Sequence, residues 1–577
     1  MKKTILPLLM VLFCACNKDL NLKPFDKLSP DNAFNTEADL QLYANSFYNM
    51  LPSGNDIIRG DVMSDYIAGK DVNSYIRKNA YTSVNSNGWS WSDLRNVNYF
   101  LEHFGQAKIT DEARKHYEGL ARFFRAYFYF EKVKRFGDVP FYSTTLNIGN
   151  AALYKPRDKR TMVMDSVLAD LNFACTNIRD KKDNTASTIT RAVALAFKSR
   201  VCLFEGTLRK YRSDLSLPDA TKWLQEAANA AEAVRKGGQY GLNMAGDSAT
   251  WYRNLFISEA ANSTEVLLAY VGSKSLRVFN DANWFYTSAT YGNRISLTKT
   301  FTDTYLNADG SRFTDQQQFD TIHFDVEVKG RDKRLQQTIR MGNYSRDGVI
   351  APPDFTYTYT GYQPLKYTLD SKATDGVAEN WNSIPIIRYA EVLLNEAEAK
   401  AELGIFNTED WSKTIKLLRQ RAGIKQTDYP TTVDAYLQKE YFPKIADPVI
   451  LEIRRERAIE LVLEGFRFYD LIRWNVGSLM EKSYVGIYVP AMDQLIDLNG
   501  DNKPDVAFVK QMPASKVNGV YYFLIDGDQT KLSGGTKGNI IWLDNIDREW
   551  KEYKYIYPIP YNETVLNPAL GQNDGWK

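Results

Sequence analysis

Two stretches gather carboxylates at spacings that chemistry can use. In "RRERAIELVLEGFRFYDLIRW" (454–474), Glu456, Glu460 and Glu464 recur every four residues, so a helix places them on one face. "RYAEVLLNEAEAKAELG" (388–404) sets Glu391, Glu396 and Glu398 less regularly. Paired carboxylates are the apparatus of glycoside hydrolysis, one as acid and the other as base or nucleophile. Arg457 and Arg467, however, each stand one turn from a glutamate. An arginine so close keeps a carboxylate ionised and unable to donate a proton. A structural ion-pair network is therefore the expectation.

"DLNGDNKPD" (497–505) has a different spacing. Asp497, Asn499, Asp501 and Asp505 present side-chain oxygens at positions 1, 3, 5 and 9, and Lys503 offers its backbone carbonyl at position 7. Those are calcium-loop positions, and a structural calcium ion is the cofactor they predict. Asn502 replaces the usual glycine and can still turn left-handed. Phe508 stands where the bidentate glutamate belongs, so another segment must complete the shell. The alternative is an Asx-rich hairpin without metal.

Other chemistries find little support. The three histidines, His103, His116 and His323, are far apart and fit neither a zinc motif nor a triad. Lys plus Arg is 72 against 70 for Asp plus Glu, a balance that gives no electrostatic case for nucleic acid. Hydrophobic residues make up 44% and charged residues 25% of the 577, enough for a sizeable core. Aromatics are abundant at 13%, with 36 tyrosines. Tyrosine and tryptophan pair an apolar face with a polar edge, which suits sugars as well as interfaces. Two clusters sit in polar surroundings without helical periodicity. "NGWSWSD" (87–93) supplies Trp89 and Trp91, with Tyr75 from the preceding loop. "NDANWFYTSATYGN" (280–293) supplies Trp284, Tyr286 and Tyr291. These six are the candidate ligand contacts.

Positioning falls to helices. Leu120, Phe123, Phe124, Tyr127, Phe130 and Val133 recur at three- and four-residue steps within 112–136, and Gly137 with Pro140 ends the run. Similar patterns cover 34–50, 92–104, 160–178, 189–211 and 219–236, then 386–403, 409–422 and 448–474. Between them, 241–385 is loop-rich with short β-like runs such as "EVLLAYV", and 475–577 is loop and short strand. A loop-rich region of that length inside a folded chain usually carries function. The expected architecture is an all-α core of stacked helical hairpins with a large loop-rich insertion and short strands. An N-terminal helical region spans 31–240 and a C-terminal region 241–577. Cys175 and Cys202 both fall in helical patterns, and two cysteines make no disulfide framework, so buried free thiols are expected.

The N-terminus has the layout of an export signal. Lys2 and Lys3 precede an apolar run, Ile5 to Phe13, too short to span a bilayer, and the small residue Ala15 precedes Cys16. The arrangement resembles a bacterial lipobox, with Phe13 where Leu is usual and Cys14 at the next position. Residues 1–15 are read as the signal, Cys16 as the lipidated N-terminus and 16–30 as a tether.

Several stretches together resemble the SusD/RagB family of surface nutrient-binding lipoproteins. They begin with "ARFFRAYFYFEKVKRFGDVP" (121–140), "ITRAVALAFKSRVCLFEG" (189–206) and "STEVLLAY" (263–270). "LTKTFTDTYLNADG" (297–310), "RDKRLQQTI" (331–339) and "IPIIRYAEVLLNEAEAKAELG" (384–404) follow. "RERAIELVLEGFRFYDLIRW" (455–474) and "YIYPIPYNETVLNPALGQNDGW" (555–576) complete the set. The resemblance implies tetratricopeptide-like helical pairs, a lipid-anchored place on the outer face of the outer membrane, and a SusC-like TonB-dependent barrel as partner. It implies capture of an oligosaccharide, or less often a peptide, and it favours the Trp284 cluster, where family members tend to carry their binding surface. The alternatives are a surface glycan hydrolase and a transporter lid with little affinity of its own.

Overall fold

Helices form where apolar residues recur at three and four. In the computed structural model, which describes residues 34–288 and 292–576, they are α1 (Glu37–Asn45), α2 (Ser92–His103), α3 (Asp111–Phe136), α4 (Arg160–Asn177), α5 (Arg191–Tyr211) and α6 (Ala220–Gly237). After the loop-rich region come α7 (Tyr389–Glu402), α8 (Ile415–Arg421), α9 (Pro448–Glu460) and α10 (Arg467–Arg473), and near the end α11 (Tyr561–Leu566). The 1–33 segment, with Cys14 and Cys16, and residue Tyr291 lie outside the described residues.

α3 shows why the boundaries fall where they do. The Thr110 hydroxyl accepts from the Ala113 N–H, Asp111 and Glu112 occupy the positive end, and Lys134 and Arg135 the negative end. Gly137, at φ +75°, then turns the chain away. α3 packs on α4 and α5 on α6, and α6 leads on to α7 and α7 to α9, so the scaffold is built of successive helical pairs. No helix among the described residues is long and apolar enough to cross a membrane. Cys175 and Cys202 are buried and unpaired, and burial pushes the Cys175 thiol up to about 12.

Two expected helices are broken. The 448–474 run parts into α9 and α10 at a tight turn, with Leu463 at φ +66° and Gly465 at φ +82°. The 409–422 run parts at Thr414 into Thr408–Lys413 and α8. In both cases the apolar pattern continues through the break, because the turn residues are themselves buried.

The strands are short. β1 (Val266–Tyr270) and β2 (Ile384–Arg388) pair antiparallel, Val266 opposite Arg388, and so close the loop-rich region at its neck. β2 runs directly into α7, where the sequence pattern predicted helix from 386. Beyond α10 lie β3 (Tyr484–Val489), β4 (Leu495–Ile496), β5 (Val506–Val509), β6 (Tyr521–Leu524), β7 (Thr530–Leu532) and β8 (Gly538–Trp542). They form two three-stranded sheets, β7-β8-β3 and β6-β5-β4. The last segment returns as a strap across the end of α3. The Tyr557 N–H donates to the Arg135 carbonyl at 2.7 Å, and Asn573 Nδ2 to that of Phe136 at 3.0 Å.

Candidate functional site

The helical carboxylates are spent on arginines. Glu460 is fully buried and accepts from Arg388 at 2.5 Å, Arg334 at 2.9 Å and Arg421. Glu456 takes Arg334 at 3.0 Å and Arg419 at 2.8 Å, and Glu464 takes Lys366 and Arg388, each at 2.7 Å. On α7, Glu391 is held by Arg200, Glu396 by Arg235 and Lys400, and Glu398 by Arg473 and the Trp474 indole. Burial alone would raise Glu398, Glu460 and Glu464, but the cationic partners overcome it. Glu398 is brought down to about 2, chiefly by Arg473, and Glu460 lies lower still. A carboxylate held ionised in this way has no proton to give a leaving group.

Three of the six aromatic candidates, Tyr75, Tyr286 and Trp89, belong to the buried core, Trp89 being 7% exposed. Tyr75 is 1% exposed, donates its hydroxyl to the Lys554 carbonyl at 2.6 Å and stacks on Tyr557 at 4.5 Å. Tyr286 is also 1% exposed, with its hydroxyl on the Ile58 carbonyl at 2.8 Å. Neither tyrosine can offer a ring face to a ligand: loops in this fold cover the core, and their aromatics fill it. Trp284 is half-buried and borders none of the clefts described below, and Tyr291 lies outside the described residues.

Trp89 and Trp91 are brought together. Their rings meet edge to face at 5.5 Å and wall a cleft of about 480 Å³. Tyr142 and Tyr154 continue the aromatic wall, and Leu566 and Leu570 from the C-terminal strap close the other side. One face of α2 holds the lip. Arg95 donates to the Leu146 carbonyl at 2.5 Å, and Asn98 Nδ2 to the Tyr142 and Thr144 carbonyls at 3.1 and 3.2 Å. Glu102 accepts from the Thr145 N–H at 2.7 Å and its hydroxyl at 2.6 Å. Arg95, Asn98 and Glu102 stand at i, i+3 and i+7 on the helix, a polar stripe whose helical spacing is the sequence signal for this lip. Behind Trp91, burial draws the Lys132 amine down to about 8.

The cleft keeps polar groups in reserve. Among the described residues neither tryptophan indole N–H has an acceptor, and neither Arg95 nor Glu563 has an ion-pair partner. The buried Asn98 Oδ1 has no donor. Flat rings, unspent N–H donors and a free carboxylate in one concave surface suit an amphipathic, hydroxyl-rich ligand.

The 497–505 loop joins β4 to β5. Asp497 accepts from the backbone N–H of Asn499, Gly500 and Asn502, and Asp505 from that of Leu498. Asn502 does adopt the left-handed turn, at φ +65°. Burial, with the charges of Asp497 and Asp501, pushes the Asp505 carboxyl up to about 6. Among the described residues no group of three or more His, Cys, Asp or Glu side chains converges as a metal cradle. The donors are all oxygens, the right kind for a hard cation, and all three carboxylates, Asp497, Asp501 and Asp505, already serve the backbone.

Residues 273–576 match the model of the SusD family. The chain belongs to the SusD family. Residues 21–203 match a second SusD-like model, described as "Starch-binding associating with outer membrane". This SusD-family chain is 24% identical to SusD-like protein P2 of Formosa agariphila over 83% of its length and 91% of the relative's. Among solved structures it resembles a SusD-like carbohydrate binding protein from Bacteroides fragilis, with a TM-score of 0.69 at 21% identity, covering 93% of this chain and 99% of that one. It also resembles surface glycan-binding protein A from Bacteroides fluxus, with a TM-score of 0.57 at 17% identity, covering 94% and 100%. At such identities the likeness is one of fold. The helical-pair core expected from periodicity is the fold these SusD-like proteins share.

Proposed function

We propose that this chain binds a glycan at the outer membrane, in the Trp89–Trp91 cleft, and passes it to a SusC-like TonB-dependent barrel. The observation that carries the reading is the tryptophan pair with free indole N–H groups, opening on a cleft large enough for a short saccharide. The carbohydrate-binding and glycan-binding proteins among its structural relatives and the outer-membrane description of the matched family model support it. Binding is favoured over hydrolysis because the carboxylates of α7, α9 and the turn after α9 are held in ion pairs. Glu563 lines the cleft without a second carboxylate among the described lining residues to form an acid–base pair. The test begins with a glycan array on the purified protein. With the best glycan in hand, Trp91→Ala is expected to weaken binding about tenfold, since one stacked ring contributes on the order of 1–2 kcal/mol. Trp284→Ala, run beside it, measures whether the family's usual segment contributes. Unchanged affinity in Trp91→Ala would remove the cleft from the reading.

Attachment to the membrane is proposed to come from acylation of Cys16. Cys16→Ser should release protein into the soluble fraction, and wild type extracted in mild detergent should bring a large β-barrel with it. Unchanged fractionation or a lone monomer would count against each half.

A structural calcium ion in the 497–505 loop is proposed on the oxygen spacing alone, with Asp497, Asn499, Asp501, Asp505 and the Lys503 carbonyl as its holders. An ion bound only by the folded state adds stability by mass action. Chelator should lower the melting temperature of wild type and leave Asp501→Ala unmoved; identical melting with and without calcium makes the loop an ordinary hairpin.

A further inference from the structure

A second cleft lies on the other face of α3. Trp91 packs on Phe128 and Tyr129, whereas Tyr127, Phe130 and Glu131 face a pocket of about 210 Å³ bounded by α5 and the turn between α9 and α10. Its floor is Phe466, with the Arg200 and Arg457 guanidinium carbons 4.9 and 5.5 Å from the ring centroid.

The two arginines are fixed from behind. Arg200 spends Nε and Nη2 on Glu391, at 2.6 and 2.7 Å, and Nη2 also reaches the Ile386 carbonyl at 2.8 Å. Arg457 spends Nε on Asp470 at 2.8 Å and Nη1 on Asn395 Oδ1 at 3.0 Å. Glu391, Asn395 and Asp470 are all buried, so neither guanidinium is free to swing. Arg200 Nη1 and Arg457 Nη2 are left without protein partners among the described residues, and the Tyr127 hydroxyl is left without one as well. Three donors of fixed position thus border a pocket with an aromatic floor.

The charge state selects the ligand. The lining is charge-balanced, with Asp56, Glu131, Glu464 and Asp470 against Lys134, Arg200, Arg457 and Arg473, and Glu131 is paired with Lys134 at 2.7 Å. An incoming anion would give up its hydration for no net positive charge, whereas a neutral hydroxyl or ring oxygen accepts the spare N–H groups at no such cost. The volume is below that of sites for drug-sized ligands and fits one ring, not a chain. We propose that this pocket is a second sugar site, taking a single neutral pyranose ring with its C–H face on Phe466. It goes beyond the Trp89–Trp91 cleft and does not depend on it.

The purified protein is titrated with D-glucose, D-galactose, D-mannose and D-glucuronate, followed by saturation-transfer NMR and calorimetry. At least one neutral hexose is expected to bind, and glucuronate at least about tenfold more weakly. Tyr127→Phe keeps the ring against Phe197, 5.3 Å away, and removes only the hydroxyl; it should weaken the hexose about fivefold. Phe466→Ala should weaken it further, and Trp91→Ala should leave it unchanged. The proposal is overturned if no neutral hexose binds at millimolar concentration, if glucuronate binds more tightly than the hexoses, or if binding follows Trp91→Ala and ignores Tyr127→Phe.

Discussion

Replacing Glu460 by alanine is expected to cost about 3–5 kcal/mol of folding stability, the range for removing one partner of a buried ion pair. Three guanidinium groups, those of Arg334, Arg388 and Arg421, converge on this fully buried carboxylate. Without it Arg421 retains Glu265, and Arg334 retains Asp332 and Glu456, but the cluster holds one uncompensated positive charge away from water. Urea unfolding of the variant measures the loss. A cost under about 1 kcal/mol would mean that water or relaxation reaches the cluster. The same chemistry sets the acid limit. Glu398 and Glu452 are held at about 2 against the ordinary value of 4.5, so their contribution is complete above 4.5 and is lost as pH falls from there toward 2. Burial, then Arg179, lowers His116 from 6.5 to about 4. Unfolding lets that imidazole protonate, so His116 removes stability as pH falls from 6.5 to 4. Asp61 and Asp505, raised to about 6, and Asp303, raised to about 7, bind protons in the fold first and add stability over that same range. The acid decline is therefore expected below 4.5, where Glu398 and Glu452 lose their contribution.

Gly60→Ala should be nearly as damaging, although the residue is exposed and a methyl group is small. A Cβ there would stand 2.6 Å from Gly465 Cα, a contact of backbone with backbone that no rotamer can relieve. Separating the two segments strains the bonds beside them. Asp61 accepts from the N–H groups of Gly465 and Arg467 at 3.0 and 3.1 Å, and Asp65 grips Arg467 through two contacts of 2.7 Å. Overpacking of this kind typically costs about 1–3 kcal/mol, and the buried hydrogen bonds place the expectation at the upper end. Gly105→Ala, where a Cβ meets nothing within 4 Å, is the control and should be neutral. Equal unfolding midpoints for the two variants would show that the joint yields.

How much of this was legible in the sequence depends on the distance over which each feature is decided. α3 was legible because its apolar period, cap and stop all lie within thirty residues. The split between α9 and α10 was signalled only by Gly465, since Leu463 in its left-handed turn looks like one more apolar position. The ion-pair reading of Glu456, Glu460 and Glu464 was correct, yet most of the arginines that satisfy them come from other elements, 334, 388, 419 and 421. Tyr75 misled for the same reason. Its polar, loop-like neighbourhood says surface, and only the fold brings Tyr557 onto its ring. Trp89 and Trp91 stand together in the sequence, but the cleft they border needs Tyr142 and the strap residues Leu566 and Leu570, which no local pattern connects to them.

The strap also fixes an order of events. Tyr75 bonds to Lys554 across 479 residues, Ser86 to Pro558 across 472 and Arg157 to Leu570 across 413. Contacts of such sequence separation form late, because a long loop must close before they return any energy. Until the segment after Lys554 is available, the end of α3 lacks its cover and the Trp89–Trp91 cleft lacks a wall. A chain emerging N-terminus first thus stays without its cleft until Leu566 and Leu570 have been made. Folding intermediates should expose the aromatic cluster around Tyr75, which makes them the species most prone to aggregate and the natural clients of a chaperone.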